Sequence, residues 1–323
     1  MRAAIRSLPP KRRCLPAGLS LAALALPGTV LAHVLDPSHD PSSVAGGSAL
    51  AWSLEPWVVA LLVLSLGLYL AGFVRLRARS TGQARALRRR QAMAFVGGWI
   101  TLAVALVSPL DTLASALFSA HMVQHEMLMI VAAPLCVLGR PIGVWLWAFP
   151  RHWRLAIGGA ARSAAVRAAW GVLTAPAVAW ALHAVALWAW HAPRWFELAL
   201  REPGVHALQH FSFLASALLF WWTVFGPRAS GSGSHGGASA MLSLFTTMVH
   251  TGALGALLTL APGLWYPAYI EPTTALGLQP LQDQQMGGLV MWVPGGLAYL
   301  AAALAIAARW LAATGAGQQE PQR

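Results

Sequence analysis

Charged residues are scarce in this chain: Asp, Glu, Lys and Arg together make up 10% of its 323 residues. Soluble domains carry roughly 25% charged residues, so an ordinary globular protein is excluded. Hydrophobic residues make up 57% of the chain, and the mean hydropathy is +0.59. Several uncharged runs reach the roughly 20 residues that a helix needs to cross a bilayer. The composition therefore predicts a polytopic membrane protein that sits in a lipid bilayer.

Cysteine and lysine are nearly absent as well. The two cysteines, Cys14 and Cys136, form no CxxC pair, which excludes a disulfide framework and a cysteine-rich metal site. Lys11 is the single lysine, so arginines between the apolar runs carry the net charge of +12. That distribution indicates membrane topology, and no nucleic-acid partner is expected. The sequence shows no nucleophile–base constellation and no phosphate-binding loop, so we expect no enzymatic activity.

The first 32 residues are typical of a secretory signal peptide or an uncleaved signal anchor. Basic residues precede an apolar stretch, and residues 30–32 (VLA) fit a small-residue cleavage site. Cleavage after Ala32 would leave His33 at the amino terminus, where its α-amino group and imidazole could chelate copper together. The polar segment 33–56 is expected to lie in the periplasm.

Seven apolar segments follow, and we predict an all-α bundle of about seven transmembrane helices over residues 57–309 with a cytoplasmic tail at 310–323. The predicted helices are 57–74, 91–109, 113–138, 169–190, 205–225, 241–261 and 287–308. Segment 151–168 is expected to form a helix on the membrane surface. The Gly- and Ser-rich stretch 230–239 is expected to be a flexible linker that contains His235.

The arginines predict how the chain is oriented. The connections 75–90 and 140–167 hold most of them, whereas acidic residues dominate the opposite side of the predicted bundle. Basic loops remain in the cytoplasm according to the positive-inside rule. We therefore predict a bacterial inner-membrane protein with a periplasmic mature N-terminus and a cytoplasmic C-terminus.

Histidines occur inside several of the predicted helices, where ionisable side chains are costly and usually functional. His121 and His125 lie four residues apart, as do His206 and His210, so each pair shares one helical face. His250 lies near the middle of the next predicted helix. Histidines from different helices at similar depth indicate a shared site inside the bundle.

Softer ligands and a carboxylate accompany these histidines. Met122 and Met129 extend the helical face of His125, and Asp283 precedes the last predicted helix at its outer end. Imidazole binds copper, zinc or iron, and thioether selects Cu(I), so the combination favours copper. The candidate metal ligands are His121, His125, His206, His210, His250, Met122, Met129, Asp283 and, after signal cleavage, His33.

Three further polar residues have more than one interpretation. Glu126 is either a group that orients a neighbouring histidine or a proton-linked carboxyl. His183 is either an interhelical hydrogen-bonding residue or a member of the site. His191, at the end of the fourth predicted helix, is expected to form a polar mouth together with Asp283.

Most of the chain after residue 50 resembles the multi-span CtaG family of cytochrome c oxidase assembly proteins. The matching segments are SPLDTLASALFSAHMVQHEMLMIVAAPLCVLGRP, WHAPRWFELAL with VHALQHFSFLASALLFWW, HTGALGALLTLAP, and DQQMGGLVMWVPGG. The resemblance implies a role in the biogenesis of a haem–copper oxidase, with copper handling. It implies oxidase subunits or other copper chaperones as partners. The family's motifs fall on His121, His125, His206, His210, His250 and Asp283.

These observations together predict a copper-binding assembly factor that helps deliver copper to the oxidase. A copper permease is one alternative, and it would need a continuous polar path through the inner half of the bundle. A membrane bis-histidine haem protein is another, since facing imidazoles are also axial haem ligands.

Overall fold

The computed structural model describes residues 51–226 and 233–317, and for 233–236 and 312–317 it describes the backbone alone. The predicted signal segment 1–32 and His33 lie outside the described residues. Within the described ranges the chain is helical and contains no strand. Proline begins many of the helices, because the first helical position has an N–H that needs no intrahelical partner.

The α-helices are numbered in chain order and joined by two short segments of other helix types. They are α1 Pro56–Ala78, α2 Gly82–Val107, α3 Pro109–Ala116, α4 Phe118–Glu126, α5 Ala133–Gly139, α6 Pro141–Leu146, α7 Arg151–Ala161, α8 Ala164–Leu173, α9 Pro176–His191, α10 Pro193–Arg201, α11 Pro203–Phe225, α12 Gly233–Thr259, α13 Ile270–Ala275 and α14 Pro280–Gly317. A π-helix, Met127–Ala132, joins α4 to α5, and a 3₁₀-helix, Pro267–Tyr269, precedes α13.

Six helical stretches of the described chain are long and apolar enough to cross a membrane, and α8 with α9 makes a seventh if the bent pair is one span. The six are Pro56–Ala78, Gly82–Val107, Phe118–Gly139, Pro203–Phe225, Gly237–Thr259 and Pro280–Leu311. The bend between α8 and α9 is 60°. It falls before Pro176, because the residue preceding a proline avoids the helical conformation. The prediction of an all-α bundle with about seven spans is confirmed.

The span Phe118–Gly139 lies at the centre of the bundle. Its most apolar window is 56% buried, whereas that of Pro56–Ala78 is 11% buried. Helices α2, α11 and α14 all pack against its segments. A side chain that points inward from this span therefore meets other helices rather than lipid.

The predicted helix 113–138 differs from the structure at its start. Helix α2 ends at Val107, a separate short helix α3 follows, and Leu117 adopts an extended conformation before α4 begins. The break has a side-chain cap, because the Asp283 carboxylate accepts the backbone N–H of Phe118 at 2.6 Å. A cap supplied from a residue far along the chain leaves little trace in the local sequence.

The last two spans also begin earlier than predicted. Helix α12 begins at Gly233, so part of the expected linker 230–239 is helical. Helix α14 begins at Pro280 and continues to Gly317, beyond the predicted boundary with the tail. The two helices pack along each other over much of their length. Tertiary packing of this kind outweighs the low helix propensity of Gly and Ser.

The cytoplasmic-surface helix predicted at 151–168 is two helices. Helix α7 ends at Ala161, and Ser163 caps α8 by accepting the backbone N–H of Val166 at 3.4 Å. The loops between spans alternate between two ends of the bundle. One is the acidic end, with Asp111, Glu197 and Asp283, and the other is the arginine-rich end, with the arginines of 75–90 and 140–167.

Candidate metal centre

Five histidine rings from three helices meet near the acidic end. This histidine cluster consists of His121 and His125 of α4, His191 of α9, and His206 and His210 of α11. Ring centroids lie 4.3 Å apart in the α4 pair and 4.2 Å apart in the α11 pair. The four-residue spacing read from the sequence therefore does place each pair side by side.

The two pairs also face each other across the bundle. The His121 and His206 ring centroids are 5.4 Å apart, and those of His125 and His210 are 5.3 Å apart. One nitrogen from each of His121, His206 and His210 lies within 4.8 Å of the other two. Nitrogens bound to one ion at about 2.0–2.1 Å are about 3–4 Å apart, so small side-chain movements would complete such a set.

Most of the nitrogens that face the interior of the cluster are buried without a hydrogen-bond partner among the described residues. They are His121 Nε2, both nitrogens of His125, His191 Nε2, His206 Nε2 and His210 Nε2. Burying an unpaired polar group costs about 1–3 kcal/mol. Several such atoms from different helices that converge on one place fit a cation-binding centre.

Hydrogen bonds at the rear of two rings determine which nitrogen carries the proton. The Tyr269 hydroxyl donates to the Ala114 carbonyl at 2.9 Å and lies 3.0 Å from His121 Nδ1. Because its proton is used there, the hydroxyl oxygen accepts from His121 Nδ1–H, and the Ala114 carbonyl lies 3.3 Å from the same nitrogen. His191 Nδ1 lies 2.7 Å from the Leu187 carbonyl and donates to it. Both rings therefore keep a lone pair on Nε2, and such rear contacts orient metal-binding histidines.

The Tyr269 phenol is suited to this role because it stays protonated. Tyr269 lies in the loop at the acidic end, outside the membrane-spanning segments. Burial, and next the nearby Asp283 charge, raise the pKa of Tyr269 well above its ordinary value. The hydroxyl therefore remains a donor to Ala114 throughout the physiological pH range.

An aromatic cap covers the cluster at the acidic end. It consists of Phe118, Phe196, Tyr266 and Tyr269, and each is at most 2% exposed. The Phe196 and Tyr266 rings are 4.2 Å apart, and Phe196 also lies 5.1 Å from the His121 ring. The Tyr266 hydroxyl donates to the His191 carbonyl at 2.7 Å. This layer separates the histidines from the loops directly above them.

The Asp283 carboxylate binds the start of α4 and makes no hydrogen bond to a histidine ring among the described residues. One carboxylate oxygen accepts the Phe118 N–H, and the other accepts the backbone N–H of Ser119 at 3.3 Å and the Ser119 hydroxyl. The carboxylate is thus the N-terminal cap of α4, where it also complements the helix dipole. The polar mouth expected from Asp283 and His191 is absent among the described residues, since Asp283 is 8% exposed and His191 2%.

The two methionines predicted as ligands belong to apolar packing on either side of the histidines. Met122 packs with Phe118, Phe196 and the rest of the cap. Met129 packs with Phe213, Trp221 and their neighbours. The π-helix that begins at Met127 changes the rotation per residue, so Met129 does not follow the α-helical spacing from His125.

His250 lies apart from the histidine cluster. Its ring is 5.8 Å from that of Trp180, and it interacts electrostatically with His183. The position of His250 along its helix can be counted from the sequence, but the side on which its side chain projects cannot. That side depends on the packing of α12 against α14. His183 is hydrogen-bonded through Nδ1 to Ser216 at 3.1 Å and through Nε2 to Tyr299 at 3.4 Å.

One residue of the histidine cluster, His191, and one neighbour of the cluster, Gln209, are not among the predicted ligands. His191 was expected at the mouth, yet its ring lies 6.4 Å from the His125 ring. Gln209 is fully buried beside His121 and interacts with its ring. The WHAP sequence was the available signal, since proline after His191 ends α9 and lets the chain turn back over the cluster.

Fold and site together define a class: a multi-pass membrane protein with histidine side chains gathered inside its helix bundle. The family model of the cytochrome c oxidase caa3 assembly factor (Caa3_CtaG) matches residues 67–313, which is well over half of the chain. The chain belongs to this family and is an assembly factor for cytochrome c oxidase. Membership of an assembly-factor family suggests a non-catalytic role and implies association with the oxidase. No curated protein and no solved structure matches the chain.

Proposed function

We propose that this assembly factor binds copper, as Cu(I), at the histidine cluster and hands it to the haem–copper oxidase or to another copper chaperone. The observation that carries the proposal is the set of unpartnered imidazole nitrogens converging from α4, α9 and α11. Copper is the cargo of this site. Neutral imidazoles suit a monovalent ion in a low-dielectric interior, because ligand and ion together bring in little charge.

The packing around the imidazoles favours a metal ion over haem. The His125 ring lies 4.6 Å from Phe213, and the His121 ring lies 5.1 Å from Phe196. Two axial histidines would need a flat gap wide enough for a porphyrin between them. Aromatic side chains occupy that space, whereas a single ion needs only the volume between the nitrogens.

The packing below the cluster favours handover over transport. Towards the arginine-rich end, the core contains Phe213, Phe220, Trp221 and Tyr299. Trp221 and Tyr299 stack with their ring centroids 5.8 Å apart. An ion crossing the bundle would have to pass these closely packed aromatic rings. Binding and release on the side of the acidic end is the simpler function.

We further propose that the acidic end faces the periplasm of a bacterial inner membrane and that the C-terminus is cytoplasmic. The arginine asymmetry supports this orientation. Alkaline phosphatase fused after Gly277 should be active, and the same enzyme fused after Thr81 should be inactive. Activity at Thr81 would reverse the orientation.

The test of copper binding is the metal content of the purified full-length protein. Elemental analysis after loading with Cu(I) under anaerobic conditions should show bound copper, and the visible spectrum should show no Soret band. His125→Ala should lower the bound copper and leave the host oxidase deficient, while the variant still accumulates in the membrane. A Soret band, or copper-free protein after loading, would contradict the proposal.

A further inference from the structure

A lateral cleft runs from the surface of the bundle to the histidine cluster. It has a volume of about 300 Å³ and lies between the start of α1, the end of α2 and the first half of α11. Glu55, Asp111, Leu106, Ala207, His206 and His210 are among the residues that line it. The cleft therefore reaches two of the clustered imidazoles from the side, whereas the aromatic cap covers them from the acidic end.

The polar groups of the cleft follow one another from the exterior inwards. Glu55 is exposed at the start of α1, and Asp111 is half-buried on α3. Next come His206 and His210, each with an Nε2 atom that is buried and has no hydrogen-bond partner among the described residues. Carboxylates at the mouth thus lead to unpartnered imidazole nitrogens at the inner end.

Asp111 is held in position by a buried side chain. Gln124 Nε2 donates to Asp111 Oδ1 at 2.7 Å and to the Ala105 carbonyl at 2.7 Å. Gln124 is fully buried on α4, the helix that also carries the first histidine pair. Asp111 is also close enough to His206 to interact electrostatically with it.

Resting on the proposed function, we infer that copper enters the cluster through this lateral cleft and that Asp111 transfers the ion to His206. A carboxylate attracts a cation by charge but is a poor ligand for soft Cu(I). It therefore holds the ion weakly and releases it to the imidazoles. The apolar walls concentrate the field of the two carboxylates, which raises the local concentration of cations at the mouth.

Two other grooves on the surface lack the carboxylates and imidazoles that line the cleft. They have volumes of about 520 Å³ and 530 Å³, and neither is lined by an Asp, Glu, His, Lys or Arg side chain. One of them contains Ala215, which lies on the same helix as Ala207 and is likewise half-buried. Ala207 and Ala215 therefore make a matched pair for testing the route.

The experiment measures both the rate of copper uptake and the final copper content of the full-length protein in lipid nanodiscs. Cu(I) is offered anaerobically as its bicinchoninate complex, and transfer is followed by the loss of the complex's colour. Ala207→Trp, which fills the cleft, and Asp111→Asn, which keeps an acceptor for Gln124, should each slow uptake about tenfold. Both should reach the final copper content of the wild type. Ala215→Trp and Glu271→Gln should take up copper at the wild-type rate, since Glu271 is an exposed carboxylate on α13 that does not line the cleft.

The outcomes separate the route from the copper site itself. A wild-type protein that takes up no copper would overturn the proposed function. Copper uptake that is equally fast in Ala207→Trp, Asp111→Asn and the wild type would overturn the lateral route and leave the site standing. A reduced final copper content in Asp111→Asn would make Asp111 a ligand of the bound ion and remove its transfer role. If Ala207→Trp fails to accumulate, Asp111→Asn, which preserves shape, decides alone.

Discussion

The bundle contains two buried histidine regions that look alike in the sequence and differ in structure. In the histidine cluster, the rings face one another and most inward nitrogens have no partner among the described residues. In the second region, His183 pairs with Ser216 on one side and Tyr299 on the other. Both His121 and His183 are at most 1% exposed. Burial therefore does not distinguish a metal-binding histidine from a structural one. The difference is whether both ring nitrogens have hydrogen-bond partners.

The largest effect is expected from removing the first region. A variant with His121, His125, His206 and His210 all replaced by Ala should lose its bound copper and leave the oxidase without activity. The helices should still form, because the hydrogen bonds that these four rings make to other elements of the described chain are those of His121 Nδ1 with the Tyr269 hydroxyl and the Ala114 carbonyl. Copper analysis and oxidase assays in membranes measure the two effects. His235→Ala is the control, and full copper content in the quadruple variant would refute the site.

A smaller effect is expected when the support behind one ring is removed. Tyr269→Phe leaves His121 Nδ1 with the Ala114 carbonyl, 3.3 Å away, as its remaining partner. Copper binding should weaken about tenfold, the lower end of the effect of groups that orient metal ligands. Tyr266→Phe is the matched control, because its hydroxyl bonds the backbone carbonyl of His191 and not an imidazole. Competition with a Cu(I) chelator gives the two dissociation constants. Equal losses in both variants would assign the effect to the cap as a whole.

The sequence predicts the first region well where the contacts are local. Four-residue spacing on a helix places His121 beside His125 and His206 beside His210, as the structure shows. The number of spans follows from the apolar runs, because a helix must pair its own backbone polar groups inside a bilayer. These features depend on periodicity and length alone.

The sequence predicts poorly where a distant residue decides the geometry. Asp283 caps α4 from 165 residues away, and Trp221 Nε1 donates at 2.8 Å to the Met129 carbonyl of the π-helix. The π-helix changes which face of the span Met129 occupies. His250 sits at a suitable depth, but the rotation of α12 about its axis follows from packing on α14. Depth can be counted from a sequence, whereas helix rotation depends on the neighbouring helices.

A substitution in the second region should lower the stability of the protein and leave its copper content unchanged. His183→Ala leaves the hydroxyls of Ser216 and Tyr299 without their imidazole partner, which should lower the free energy of unfolding by about 1–3 kcal/mol. Bound copper should stay at the wild-type level once the variant is purified. Thermal unfolding in detergent, followed by copper analysis of the same sample, measures both. Loss of copper without loss of stability would show that His183 acts in the metal site.

The smallest effect is expected at His250, which combines features of the two regions. His250 is half-buried, its two nitrogens have no hydrogen-bond partner among the described residues, and its nearest aromatic ring contact is with Trp180 at 5.8 Å. Like the histidines of the cluster, His250 has ring nitrogens without partners among the described residues. Like the second region, it lies close to His183. If convergence of several lone pairs creates the copper site, one isolated imidazole cannot hold the ion, because its affinity alone is too low.

His250→Ala should therefore change neither the copper stoichiometry nor the copper dissociation constant, and it should leave no buried hydrogen-bond partner unpaired. His210→Ala is the matched comparison, since it removes one unpaired imidazole from inside the cluster. Chelator competition on the two purified variants gives the result directly. A copper affinity that falls equally in both would mean that His250 swings to the cluster when the ion binds, and the site would then extend to α12.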